Sequence, residues 1–165
     1  MTNFKSPYFS ASLKEFWSRW HISLSTWFRD YVYIPLGGGR CTPEKNYRNL
    51  LVTFLLSGLW HGANWTFVIW GMLHGLGLVV EKFCHRNIRS FPFMPNFVRI
   101  IIIFVFCNIA WIVFRANNIG DFAFILQGIV NGINDPSTFL HSNIGLNKFI
   151  LIKIGISLFI LAMYD

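Results

Sequence analysis

Charge is what this chain has least of. Only 13% of its 165 residues are Asp, Glu, Lys or Arg, where a soluble domain carries about 25%. Acidic residues are scarcest, 7 against 14 basic ones. So little polar surface cannot cover a chain that is 54% apolar, which excludes an ordinary water-soluble domain. Cysteine is also sparse. Cys41, Cys84 and Cys107 are odd in number and lack C-x-x-C spacing, which argues against a disulfide framework and a zinc site. Residues 1–12 are polar and contain no apolar core segment, so no signal peptide is expected there. There is no internal repeat and no low-complexity tract.

What is present is a series of apolar runs separated by basic clusters. A net charge of +7 could suggest nucleic acid. The basic residues, however, lie mostly between apolar runs, which fits cytoplasmic loops facing anionic lipid, with no nucleic-acid partner. The expected fold is an all-α integral membrane protein of several transmembrane and re-entrant or amphipathic helices.

Residues 12–34 are predicted to form an amphipathic or re-entrant helix. Ser12 and Glu15 have capping-box spacing, and Phe16, Trp20, Leu24 and Trp27 draw one apolar stripe. Pro35 and Gly37, Gly38 and Gly39 then make a turn. A phosphate loop is disfavoured, because G-x-x-x-x-G-K-[ST] and a preceding strand are both missing. Residues 49–81 hold two short apolar runs, one of about 12 residues or roughly 18 Å of helix, against the roughly 20 residues of a full crossing. Basic clusters flank both, so a broken-helix hairpin is expected, with His61 at its tip. Residues 98–114 and 149–164 are expected to be transmembrane helices. The connection from 116 to 147 has Asp121 and Asp135 but no Lys or Arg, so it is expected outside the cytoplasm. Within it, Phe122, Ile125, Leu126 and Ile129 trace a short amphipathic helix.

Five histidines are candidates for chemistry. His85 and His141 lie in polar loops and read as solvated. His21, His61 and His74 are embedded in apolar, aromatic sequence. Each has a structural reading, a core histidine bonded to a neighbouring helix. Three in one membrane segment tilt toward function, because each is costly to bury in lipid. A metal site is a poor fit, since the three are spaced 40 and 13 apart with no H-E-x-x-H and no cysteine cluster. A serine nucleophile is also poor without G-x-S-x-G. That leaves an imidazole acting as base on a hydroxyl. Asn64, three residues after His61, is placed to orient it or a bound carbonyl. Arg29 and Asp30 read as a polar contact at a helix end or a closure of a cytoplasmic cavity. No pair is claimed, because sequence neighbours do not face each other on an α-helix. The seven tryptophans read mainly as interfacial anchors.

At these residues the chain resembles the membrane-bound O-acyltransferases (MBOAT), in the branch that acetylates alginate and peptidoglycan, with the D-alanyl transferase of teichoic acid a cousin. The stretches that carry the resemblance are Ser6-Pro7-Tyr8-Phe9-Ser10, the run from Phe16 to Tyr31, Tyr33-Ile34-Pro35-Leu36-Gly37-Gly38, and Gly58-Leu59-Trp60-His61-Gly62-Ala63-Asn64-Trp65. Trp70-Gly71, His74-Gly75 and Trp111 to Ala116 continue it. The resemblance implies that His61 is the catalytic histidine, that His21 is a second histidine near the same tunnel, and that His74 is structural. Trp60 and Asn64 would position substrate. The implied donor is a cytoplasmic acyl thioester (acetyl-CoA or an acyl carrier), with no bound cofactor. The implied acceptor is a polysaccharide hydroxyl, or an acetyl-relay protein outside a bacterial inner membrane. The family's earlier helices are expected to be missing here, so the chain reads as a C-terminal-half fragment. Two further readings stay open: an inactive membrane subunit or remnant, and a proton-relay transporter. The transporter lacks paired acidic residues at depth.

Overall fold

The computed structural model describes residues 2–87 and 94–134, and among these every regular element is helical. Two units are distinguished, residues 1–119 and 120–165. The first holds α1 (Leu13–Arg19), α2 (Ile22–Phe28), α3 (Pro43–His61), α4 (Trp65–Asn87) and α5 (Asn96–Arg115). The last helix, α6 (Ile119–Asn134), belongs almost entirely to the second unit and carries the Phe122, Ile125, Leu126 and Ile129 series. The expected span at 149–164 lies outside the described residues.

The helix expected over residues 12–34 is broken. α1 ends at Arg19 and α2 starts at Ile22, with His21 in the left-handed region at φ 43°. The cause is the chain's first segment. The Asn3 carbonyl accepts from the Ile22 N–H at 3.0 Å, its side-chain oxygen accepts from the Ser23 N–H at 3.0 Å, and the Lys5 N–H donates to the Arg19 carbonyl at 3.0 Å. These bonds satisfy groups that a continuous helix would have paired internally. The Ser12 hydroxyl accepts from the Glu15 N–H at 3.0 Å, while the Glu15 carboxylate accepts from Ala11 instead of Ser12. Glu81 of α4 accepts from the Leu13 and Lys14 amides at 2.6 and 3.3 Å, a cap supplied across 68 residues of chain. After α2 the backbone widens into a π-helical turn, Arg29–Tyr33, and then the glycine turn. Buried Asn46 and Asn49 of α3 each donate to the Gly38 carbonyl and hold that turn.

α3 and α4 form an antiparallel hairpin whose arms are longer than their apolar runs. α3 has 19 residues because it starts in the polar stretch at Pro43, and α4 has 23 because it continues through Lys82 and Arg86. By length and composition α4, like α5, is long and apolar enough to cross a membrane. Polar residues extend a helix readily when their side chains can reach an interface, so an apolar run underestimates its length. On α4, the exposed residues Met72, Leu76, Val80 and Phe83 make a stripe at helical spacing, and α5 exposes Ile101, Ile102, Val105 and Ile109. Such stripes suit lipid rather than water.

Glycines set how closely the hairpin packs. A Cβ on Gly58 would sit 2.3 Å from the Phe67 carbonyl oxygen, and one on Gly71 2.3 Å from that of Phe54. Both obstacles are backbone, so the helices would have to separate. Close approach through small residues is how membrane helices gain packing contacts. Gly58→Ala and Gly71→Ala are each expected to cost about 1–3 kcal/mol by overpacking, read as a lower melting temperature in detergent. Unchanged melting of both variants would contradict this account of the crossing.

Candidate functional site

His61 occupies the last turn of α3, which ends because Gly62 turns to φ 152°. That backbone is strained for any L side chain, and a Cβ there would also meet the Phe67 ring at 2.9 Å. Rings from three helices surround the half-buried imidazole. Trp60 lies 5.0 Å away edge-on, Trp70 5.3 Å, Phe114 5.0 Å and Phe67 6.2 Å. Trp70 is 2% exposed, whereas Trp60 is 59% exposed, so one wall is core and the other is open. An imidazole held this way keeps its nitrogens available while the rings limit the ways it can turn.

His21 lies at the break between α1 and α2, its ring 6.1 Å from that of Phe4. The αL conformation of a residue other than glycine costs energy, of order 1–3 kcal/mol, and persists where the surroundings over-determine it. Its Nδ1 is buried and has no hydrogen-bond partner among the described residues.

Asn64 makes its side-chain hydrogen bonds to backbone rather than to His61. The helix stops at His61, so the two residues do not share a helical face. The Asn64 amide donates to the Asn117 carbonyl at 2.8 Å and its oxygen accepts from the Thr66 N–H at 3.2 Å. It caps α4 and ties the hairpin tip to the end of α5. His74 is fully buried, but the bond to a neighbouring helix is not made: neither ring nitrogen has a partner among the described residues. It is packed instead by Phe16, Trp17, Phe54, Trp70, Phe106 and Trp111. Arg29 and Asp30 do pair, Nε to Oδ1 at 2.7 Å. The wider π turn allows neighbours what an α-helix would not. The Asp30 carboxylate holds the Arg29 guanidinium above its usual value. This contact is exposed, so its contribution to stability is small.

A cavity of about 910 Å³ opens at the other end of the hairpin. Lys14, Arg29, Lys82, His85 and Arg99 contribute to its lining, as does Glu81. Its inner wall includes Trp17, Phe54 and Ser57, and Ser57 precedes His61 by one helical turn. Lys82 also donates to Asn46. Sequence reading saw Lys82 and Arg99 only as loop charges flanking spans. Their convergence depends on packing, and no local pattern marks it. Among the described residues no group of His, Cys, Asp and Glu could hold a metal ion.

The sequence model of the MBOAT, membrane-bound O-acyltransferase, family matches residues 2–120. The chain belongs to the membrane-bound O-acyltransferase family. The matched segment contains α1 to α5, hence His21, His61 and the cavity. Among similar proteins, the peptidoglycan O-acetyltransferase of Helicobacter pylori is 47% identical over 136 residues, 82% of this chain and 26% of that protein. The probable alginate O-acetylase AlgI of Pseudomonas aeruginosa is 50% identical over 119 residues, 72% of this chain and 22% of its own length. The teichoic acid D-alanyltransferase of Streptococcus thermophilus is 39% identical over 86 residues, 48% of this chain and 21% of its own. The chain thus spans about a quarter of the length of the curated relatives it matches. MBOAT membership agrees with the exposed apolar stripes of α4 and α5, which a membrane-bound protein would turn to lipid.

Proposed function

We propose that this chain carries the reaction centre of a multi-pass bacterial inner-membrane O-acyltransferase. It would move an acyl group, most simply acetyl, from a cytoplasmic thioester to a hydroxyl of an exported cell-surface polysaccharide or of a relay protein. The observation that carries the reading is the His61 site itself: an imidazole at a hairpin tip, walled by rings, opposite a basic cavity. The chemistry needs one base. A ring nitrogen of His61 takes the acceptor's hydroxyl proton as the oxygen attacks the thioester carbonyl. The C–S bond then breaks, and the imidazolium returns the proton to the departing thiolate. No net proton is consumed. His21 would steady the thioester from the side of α2.

The cavity supports a donor that enters from the cytoplasm. Its basic lining suits the phosphates of coenzyme A or of a carrier's prosthetic arm, and its apolar inner wall suits the arm's chain. The similarity to acetylases and to a D-alanyltransferase supports an acyl group passed to a surface polymer. Membranes containing the protein should transfer labelled acetyl from acetyl-CoA, or from an acetylated carrier, into alkali-labile ester on polysaccharide or a relay protein. No His61-dependent transfer from either donor would overturn the reading.

Placement follows from charge. Lys45 and Arg86 should face the cytoplasm, because basic loops are retained there. Single cysteines at 45 and 86 should resist an impermeant thiol reagent in intact cells and react in inverted vesicles. Labelling of either from outside intact cells would reverse the orientation and, with it, the side from which the donor enters.

A further inference from the structure

The buried ring cluster behind Trp70 is not used by the reaction as drawn. His74 is 0% exposed. Both of its ring nitrogens, and the indole nitrogens of Trp17 and Trp70, are buried without a hydrogen-bond partner among the described residues. These rings are close together. Trp17 and Trp70 each lie 5.0 Å from His74, and Trp111 lies 6.4 Å away. Neutral imidazole offers one donor and one acceptor, and indole offers a donor only. Trp111 has the Tyr8 hydroxyl beside it as an acceptor, which leaves three N–H donors, on Trp17, Trp70 and His74, around a single imidazole acceptor. Direct bonding among the rings cannot satisfy them, whatever their rotamers. A buried polar group left unpaired bears its whole desolvation cost, so an acceptor must join the cluster. Water has the right chemistry, since a buried water makes roughly three hydrogen bonds and can both accept and donate. An access route is at hand, because Trp17 also lines the basic cavity.

The cluster touches the reaction centre through one side chain. The Trp70 ring lies between His74 at 5.0 Å and His61 at 5.3 Å, perpendicular to His61. Whatever holds the Trp70 indole N–H also sets the wall against which the His61 imidazole rests.

We propose that the cage around His74 binds ordered water that links His74 to the indole N–H groups of Trp17 and Trp70. This hydrated knot locks Trp70 against His61. His74 is a positioning residue, acting on His61 through Trp70. The positioning role rests on His61 as the base, whereas the water site does not.

The test has two arms. The first is solid-state NMR of the protein in lipid bilayers, with 15N in histidine and tryptophan rings. The His74 signals are identified by their loss in His74→Phe, or by their shift in Trp70→Phe should the first variant fail to accumulate. Magnetisation starting on water protons is expected to reach the His74 ring nitrogens and those of the Trp17 and Trp70 indoles. Transfer to cavity-lining His85 but none to His74 would overturn the proposal, and would mean that a protein group supplies the acceptor. The second arm is kinetic. His74→Phe should lower kcat about 10- to 100-fold, the scale of a small misplacement of a reacting group, with KM for the thioester unchanged. His74→Gln keeps a donor and an acceptor and should recover most of the rate. Equal kcat in the parent and His74→Phe would remove the positioning role. A wet cage in a protein without acyl transfer would support the water site and overturn the transfer reading. A dry cage in a protein that transfers would overturn this inference alone.

Discussion

His61→Ala is expected to lower acyl transfer by about 10²–10⁴-fold, the usual worth of general acid–base catalysis, while the protein stays in the membrane at parental levels. The imidazole sits at a helix end and is half-buried, so its removal does not empty the core. Its neighbours Trp70 and Phe114 also contact each other at 5.3 Å, and Phe67 contacts Phe114 at 4.9 Å, so the wall persists without it. His61→Gln separates two roles. Glutamine can still donate and accept a hydrogen bond, but it cannot take a proton at neutral pH. If proton abstraction is the role, Gln should lose nearly as much as Ala. If His61 only orients a substrate, Gln should keep much of the rate. The measurement is labelled acetyl incorporation normalised to membrane protein. A well-expressed His61→Ala protein that retains most of its transfer would leave the histidine a packing residue.

The second large effect is expected at His21, where side chain and backbone can be tested apart. Its φ of 43° and ψ of 55° suit glycine and, among other residues, asparagine best. His21→Gly should therefore fold, with stability within about 1 kcal/mol of the parent. His21→Asn keeps the backbone and a polar side chain but no imidazole. Both are expected to lower transfer by about 100-fold, an effect of the size a misplaced reactant produces, seen in kcat or in KM for the thioester. His21→Ala should lose transfer and also melt earlier, because alanine bears the αL strain without compensation. Full transfer by His21→Asn would show that position 21 matters only as a turn. Loss confined to thermal stability in all three variants would have the same meaning.

The local geometry at Asn64 and at Arg29–Asp30 departs from α-helical spacing for one reason. The regular α-helix does not continue there, whereas each expectation judged neighbours by its spacing. At Asn64 the helix had ended, and the amide found Asn117 instead. At Arg29 the helix had widened, and adjacent side chains met. The site histidines were legible because they interrupt apolar runs, a property of neighbouring residues. Their surroundings were not, because Phe67, Trp70 and Phe114 are ordinary apolar residues until packing brings their rings to His61.

The sequence by itself determined the all-helical class, the capping of α1 by Ser12, the turn after Tyr33 and the position of His61 between two apolar arms. Hydropathy, helix propensity, capping and glycine turns act over a few residues, so they are written locally. Only the tertiary structure decided that Asn3 breaks the first helix at His21, that Glu81 caps α1, and that Gly58 and Gly71 let α3 and α4 touch. It also decided that the rings of Trp17, Trp70 and Trp111 pack around His74. These are contacts across tens of residues. Each side chain is compatible with many partners, and the choice among them is made by how whole helices pack, a sum over the chain that no short window contains.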